Sequence, residues 1–117
     1  MRFALPRLLS LAALAPFMAL AGESFLAELE DLPLAPGLTE LPGGLLFDSA
    51  DGRIVEAQAK GEVPADQVRH FYESTLVQLG WQPVGPLQFR RDNEILKIAI
   101  NEKAQPLSVH FTLTPTR

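Results

Sequence analysis

Residues 64–81 of this chain of 117 residues read PADQVRHFYESTLVQLGW, and they decide the predicted fold. Six positions in this stretch recur at the spacing of three and four that defines one face of a helix. They are Val68, Phe71, Tyr72, Thr75, Leu76 and Leu79. Pro64 suits the first helical position, Asp66 adds negative charge where the helix dipole favours it, and Gly80 suits the residue after the helix. The sequence therefore predicts an amphipathic helix from Pro64 to Leu79.

Two strands are predicted before this helix. Residues 54–61 alternate between apolar and polar types, which is typical of a strand with one buried face. Its apolar positions are Val55, Ala57 and Ala59. The apolar run Leu45-Leu46-Phe47 precedes a turn signal at Asp51-Gly52. We therefore expect these two segments to form a β-hairpin.

Three further strands are predicted after the helix. Residues 87–91 and residues 94–101 are expected to pair through a two-residue turn at Asp92-Asn93, because both residue types tolerate positive φ. Residues 107–113 alternate without interruption and form the last strand. The prolines and glycine of residues 83–86 indicate a connection rather than a regular element.

The predicted order of elements is β-β-α-β-β-β. Residues 45–117 are therefore expected to form a two-layer α+β domain, with one amphipathic helix on a mostly antiparallel sheet. The helix covers the apolar face of the sheet, and the other face is open and polar. The side chains predicted on the open face are Glu56, Gln58, Lys60, Arg90, Lys97, Asn101, Ser108, His110 and Thr112.

Residues 22–44 are predicted to form a separate N-terminal arm rich in leucine and proline. A short helix capped by Ser24 is expected to reach about Asp31. Beyond it, the prolines favour extended or turn conformations. Because its leucines need cover, the arm either wraps its own domain or docks on a partner protein, a pocket or a membrane surface. The candidate interaction residues are Phe25, Leu29, Leu32, Leu34 and Leu38, together with His110 on the open sheet face.

The first 21 residues have the three parts of a secretory signal peptide. Arg2 and Arg7 supply the positive charge. An apolar run at residues 8–18 and a small-residue cleavage site at Ala19-Leu20-Ala21 follow. The whole apolar stretch would form a helix roughly 21 Å long, whereas a bilayer core is about 30 Å thick. We therefore expect cleavage after Ala21, a periplasmic or secreted protein, and no stable membrane insertion after cleavage.

Composition excludes several kinds of chemistry. The chain has no cysteine, so disulfides, thiolate metal sites and cysteine nucleophiles are excluded. Loss of Arg2 and Arg7 shifts the formal net charge from −4 to about −6, which disfavours nucleic acid as a partner because phosphates are repelled. There is no glycine-rich phosphate loop and no serine in a nucleophile-elbow context, and no cofactor is expected.

The two histidines are the usual candidates for acid–base chemistry near neutral pH. His70 follows Asp66 by one helical turn, a spacing that suits a carboxylate-oriented base and is also common on solvated helices. His110 alternates with apolar neighbours and so belongs to the open sheet face. Two histidines without a helical metal-binding spacing make a poor metal site. The pattern therefore predicts neither a catalytic residue nor a metal ligand.

The pattern Val68-x-x-Phe71-Tyr72-x-x-x-Leu76-x-x-Leu79-Gly80-Trp81, followed by Phe89-Arg90-Arg91, resembles one in small exported bacterial proteins of unknown function. It covers about half of the mature chain and encodes a helix face, a helix end and a strand rather than reactive groups. The resemblance implies an envelope location and a lone α+β module, and no functional residue carries over.

The sequence favours a small exported, non-enzymatic accessory or binding protein whose partner is another envelope protein. One alternative is an envelope-assembly or inhibitor protein that docks through residues 25–41. Another is a small enzyme with a site on the open sheet face around His110, Lys97 and Arg90. Such an enzyme needs a concave pocket in which at least two ionisable groups converge.

Overall fold

A computed structural model of the chain describes residues 24–116 and gives one helix and seven strands in that range. In chain order the elements are β1 (Thr39–Glu40), β2 (Leu45–Ser49), β3 (Gly52–Gly61), α1 (Ala65–Gln78), β4 (Gln82–Gly85), β5 (Gln88–Arg91), β6 (Glu94–Asn101) and β7 (Leu107–Pro115). The helix packs on one face of an antiparallel sheet, so the predicted two-layer α+β class is confirmed. The predicted signal peptide lies outside the described residues.

The sheet has the order β4-β5-β6-β7-β3, and β2 and β1 lie along the outer edge of β3. The predicted β2–β3 hairpin is confirmed, with Ser49 paired to Gly52 across the turn. The predicted β5–β6 hairpin is confirmed as well, because Arg91 pairs with Glu94 and Asp92 has a φ of 54°. These tight turns fix the register of both hairpins.

The core lies between α1 and one face of the sheet, and the alternation along each strand decides which residues enter it. The predicted inward residues of β3 are at most 2% exposed: Val55, Ala57 and Ala59. Every second residue of β7 as far as Leu113 is also buried: Leu107, Val109, Phe111 and Leu113. The register joins these rows, since Phe111 pairs with Ala57 on β3 and with Ile98 on β6. The nine side chains predicted on the open face are all exposed or half-buried.

The helix α1 begins one residue later than predicted. Pro64 is the cap residue rather than the first helical residue, because its ψ of 141° is extended. The buried residues of the helix are Val68, Tyr72 and Leu76. Phe71 and Thr75 are half-buried, and Leu79, predicted on the same face, is 39% exposed at the end of the helix.

The C-terminal end of α1 has the predicted glycine termination. Gly80 has a φ of 94°, and its N–H donates to the Val77 carbonyl at 3.1 Å. The Trp81 N–H donates to the Leu76 carbonyl at 2.9 Å. These two hydrogen bonds form a Schellman motif, and the buried Trp81 ring follows directly after it.

The short helix predicted at residues 24–31 is wrong, because this segment forms tight turns. The Leu29 N–H donates to the Leu26 carbonyl at 3.3 Å, and the Leu32 N–H donates to the Leu29 carbonyl at 2.9 Å. Each turn therefore closes after three residues. This arrangement is favoured over a helix because it directs every third residue, and so all three leucines, into the core.

Residues 82–85 form the edge strand β4, whereas the sequence predicted a connection there. Pro83 pairs with Phe89, and the register shifts between Pro83 and Gly85. Proline lacks a backbone N–H, but on an edge strand the missing donor is tolerated because it faces away from the sheet. Proline and glycine at these positions are therefore compatible with a strand. The two-residue strand β1 was not predicted either.

Candidate functional site

The N-terminal arm, of which residues 24–44 are described, contributes its leucines to the core of the domain. Four of its candidate interaction residues are at most 8% exposed: Leu29, Leu32, Leu34 and Leu38. Phe25 is 48% exposed and forms an isolated bridge with Pro33. The arm thus packs on its own domain in this structure. Docking through the four leucines stays a prediction, and it would require them to leave the core.

Tyr72 on α1 bonds to the arm at two points. Its hydroxyl group donates to the Pro33 carbonyl at 2.8 Å and accepts a hydrogen bond from the Ala35 N–H at 3.0 Å. Burial raises the pKa of the Tyr72 hydroxyl above its ordinary value, and the Ala35 N–H partly opposes this effect. The hydroxyl therefore stays protonated and holds the arm against the helix.

Arg91 at the end of β5 binds the arm from the surface. Its Nη2 lies 2.7 Å from Oδ2 of Asp31, and its Nη1 donates to the Leu79 carbonyl at 3.2 Å. The guanidinium also lies over the Trp81 ring, 4.4 Å from the centroid. One arginine thus links the arm, the end of α1 and the buried tryptophan.

Two further contacts fix the path of the arm. The Ala27 N–H donates to Oε1 of Glu40 at 2.9 Å. The Gly37 carbonyl passes so close to Gly61 that a Cβ atom at position 61 would overlap the Gly37 backbone. Glycine at this position therefore lets the arm cross the end of β3.

His110 lies beside Glu56 on the open sheet face. Their side chains approach to 3.7 Å between Nε2 and Oε1, and both are more than 40% exposed. The pair borders a shallow cleft of about 210 Å³, whose far side is the loop of residues 42–44. At this distance and exposure the contact is weak and screened by solvent.

The other residues of the alternative enzyme site do not join His110. Its partner on β6 is Ala99, whereas Lys97 pairs with Thr112. Within residues 24–116, no hydrogen bond or ion pair connects His110 to Lys97 or Arg90. The structure therefore does not bring these three side chains together.

His70 is exposed on α1 and is not oriented by a carboxylate. Oδ1 of Asp66 lies 2.7 Å from Nη1 of Arg69 instead. Arg69 also approaches Glu102 at 3.0 Å, so this cluster is a set of surface ion pairs. No group of three or more histidine, aspartate or glutamate side chains that could hold a metal occurs in the described part of the chain.

The strand β2 was predicted, but its exposure was not. Leu45, Leu46 and Phe47 are 62%, 51% and 64% exposed. The strand pairs with β3 on one side, and no strand of the described range pairs with its other side. The signal was present in the run itself, because consecutive apolar residues point to both faces of a sheet and the helix covers one face. We call the outer side of Leu45–Ser49 the β2 edge.

Acidic side chains surround the β2 edge. On the helix side of the sheet, a hollow beside Leu46 is lined by Glu28, Glu30 and Arg53, among others. Nε of Arg53 bonds to Oε2 of Glu94 at 2.8 Å, and this hydrogen bond raises the pKa of Arg53. The positive charge of Arg53 is therefore already paired with Glu94. The carboxylates of Glu28 and Glu30 thus make the hollow negatively charged.

Further acids lie at the start of β2 and within it. Glu28 and Glu40 both approach Gly44, the residue before the strand. Asp48 lies within β2, and Glu56 on the neighbouring strand β3 pairs with Leu45. The β2 edge is thus an exposed apolar strand in negatively charged surroundings.

Comparison with protein-family models, with curated proteins and with solved structures finds no match to this chain. Among residues 24–116, no helix has the length and apolar character needed to cross a membrane.

Proposed function

We propose that this protein is a small exported accessory or binding module of the cell envelope, and that it acts by contact with another envelope protein. The observation that carries the proposal is the exposed apolar strand β2. The signal-peptide pattern of residues 1–21 supports export. The helix and the arm bury the remaining large apolar face of the domain, so β2 is the surface with most to gain from a partner.

The gain from covering β2 is large for such a short strand. Complete burial of a leucine or phenylalanine side chain contributes about 1.5–3 kcal/mol. Three adjacent side chains that are roughly half exposed therefore offer a partner on the order of 3–5 kcal/mol. Exposed apolar side chains gathered on one strand are typical of interaction sites.

Docking through residues 25–41 is the less favoured form of this proposal. Release of the arm would return five buried leucines to water, at about 1.5–3 kcal/mol each. A small domain has a total stability of about 5–15 kcal/mol, so opening the arm would consume most of it. The β2 edge binds without any such opening.

Export is tested by expressing the full chain in a bacterial host and measuring the mass of the protein released from the periplasm. We expect a periplasmic protein that begins at Gly22. An unprocessed chain that keeps Arg2 and Arg7 in the cytoplasm would contradict the proposed localisation.

Binding through β2 is tested by site-specific photo-crosslinking in the envelope of the native host. A crosslinking residue at position 47 is compared with one at position 77, because Val77 is also apolar and is 52% exposed on α1. We expect a discrete protein adduct from position 47 and a much weaker one from position 77. Equal adducts, or none from position 47, would contradict the proposal.

A further inference from the structure

The outer side of β2 carries backbone groups that have no partner in the described part of the chain. In an antiparallel strand, alternate residues direct their N–H and C=O groups to opposite sides, and β2 uses the side that faces β3. The strand has five residues and is about 16 Å long, so an extended peptide can pair along it. Partner proteins recognise sheet edges of this kind by adding a strand.

The opposite edge of the sheet is protected against such pairing, and β2 is not. On β4, Pro83 removes a backbone donor and the register shifts beside Gly85. On β2, five consecutive residues from Leu45 to Ser49 pair in regular register with β3, and the strand contains no proline, no lysine and no bulge. Natural proteins use those devices to block edges, and the one charged residue of β2 is Asp48 near its end, so most of the strand stays open to pairing.

The two faces of the sheet beside β2 differ in character, so an added strand would need a different type of side chain on each face. Leu45 and Phe47 share the open face, where Phe47 pairs with Ile54. Leu46 lies on the helix side, next to Glu28 and Glu30. Because strand residues alternate between faces, a matching segment alternates apolar residues with residues suited to the acidic side. Lysine or arginine fits there, since its stem covers Leu46 while its charge reaches the carboxylates.

The same acidic side chains disfavour two other occupants of the β2 edge, namely a second copy of the chain and an anionic lipid surface. A second copy would dock through the same patch and would bring Glu28, Glu30 and Asp48 against their own counterparts. An anionic lipid surface would be repelled by these carboxylates and by the net charge of about −6 of the mature chain.

We infer that the β2 edge binds an extended segment of a partner protein in which apolar and basic residues alternate, and that this segment adds an eighth strand to the sheet. The inference rests on the proposed function and specifies the chemistry of the partner. The apolar side chains of the segment pack on Leu45 and Phe47, and its basic side chains face Glu28 and Glu30.

The test uses the mature protein, residues 22–117, and four capped eight-residue peptides. One alternates lysine with valine, one alternates glutamate with valine, and one alternates serine with valine. The fourth is the lysine peptide with an N-methyl group on every residue, which keeps the charge and blocks strand pairing through both of its edges. Binding is followed by calorimetry, and the site is located by amide hydrogen exchange of β2.

The lysine peptide is expected to bind about tenfold more tightly than the serine peptide and to protect amides of β2. N-methylation should abolish that protection. Phe47→Lys should weaken binding of the lysine peptide about tenfold, whereas Val77→Lys, at an equally exposed apolar position, should leave it unchanged. Glu28→Lys combined with Glu30→Lys should transfer the preference to the glutamate peptide. Unchanged Trp81 fluorescence and thermal unfolding would show that each variant is folded.

Several results would overturn the inference. Equal binding of the lysine, glutamate and serine peptides at β2 would contradict the basic character of the partner, although β2 would still be a binding site. Binding that survives N-methylation would exclude strand addition. Sedimentation of the protein alone as a dimer with protected β2 amides would assign the edge to a second copy. No binding by any peptide would overturn the inference, while crosslinking from position 47 would still decide the proposed function separately.

Discussion

Tyr72 joins the helix to the arm through both hydrogen-bonding functions of one hydroxyl group. The ring packs edge-on against Phe71 and Phe111, with centroid distances of 5.0 and 5.5 Å. A buried hydroxyl is costly unless it is hydrogen-bonded, and the arm supplies both partners, at Pro33 and Ala35. The arm therefore offsets the cost of burying the Tyr72 hydroxyl in the core.

Tyr72→Phe is expected to lower the free energy of unfolding by about 1–3 kcal/mol, because it leaves the Ala35 N–H and the Pro33 carbonyl without their partner. Urea denaturation followed by the fluorescence of Trp81, the single tryptophan, measures this change. Ser74→Ala is the matched control, since it removes an exposed hydroxyl that bonds to the His70 carbonyl. Its effect should stay within about 0.5 kcal/mol. Equal effects of the two substitutions would show that the arm contact is unimportant.

The free energy of unfolding should depend on pH in a way that reflects the raised pKa of the Tyr72 hydroxyl. Because burial raises the pKa of Tyr72 above the ordinary value of about 10, the folded state holds the proton more tightly than the unfolded state. The stabilisation is therefore complete below about pH 10 and is lost as the pH rises toward the folded-state pKa. Tyr72 is the single tyrosine, so tyrosinate absorbance reports on it alone.

In the folded protein we expect Tyr72 to titrate well above pH 10. We also expect Tyr72→Phe to lose less stability than the parent protein above that pH. Titration of the folded protein at the ordinary tyrosine value would contradict the burial of this hydroxyl.

At the scale of elements, the helix and the inner strands are predictable because their apolar positions follow the period of one regular structure. Val68, Tyr72 and Leu76 fit a helix, and the alternation of residues 107–113 fits a strand. The arm was not predictable in the same way. Leu26, Leu29 and Leu32 repeat every three residues, which suits a helical face as well as consecutive tight turns. Tertiary packing, which the local pattern does not contain, decides between them.

Leu32→Ala and Leu45→Ala remove the same side chain from the arm and from β2. Leu32 is 3% exposed and Leu45 is 62% exposed. We expect Leu32→Ala to destabilise the protein by about 2–5 kcal/mol and Leu45→Ala to change its stability by less than about 0.5 kcal/mol. Urea denaturation of both variants tests this, and a larger loss from Leu45→Ala would place β2 in the core instead of on the surface.

The candidate site was only partly predictable, because its parts are distant in the chain. The run Leu45-Leu46-Phe47 was recognised as a strand, but its exposure depends on which elements lie beside β3. Glu28 and Glu30 come close to Leu46 through the path of the arm, which the short-helix prediction had wrong. His110 was placed correctly on the open face, since strand alternation alone determines it.

At the scale of the whole molecule, the apolar residues of the described domain fall into two groups, those that form the core and those of β2 that stay exposed. The leucines of the arm, one face of α1 and one face of the sheet make a single core. The apolar residues of β2 stay at the surface, beside the acids of the arm. A domain whose core is closed in this way can present β2 without unfolding any part of itself, which is what the proposed binding role requires.

The most direct test of this division is amide hydrogen exchange of the mature protein without any ligand, resolved by residue. The amides of Leu26, Leu32 and Leu34 donate hydrogen bonds of 3.0, 2.9 and 2.8 Å within the arm. We predict that they exchange as slowly as the amides of α1, while the outward amides of β2 exchange orders of magnitude faster. Fast exchange throughout the arm together with slow exchange along both sides of β2 would contradict it, because the arm would then be the free surface and the β2 edge would already be occupied.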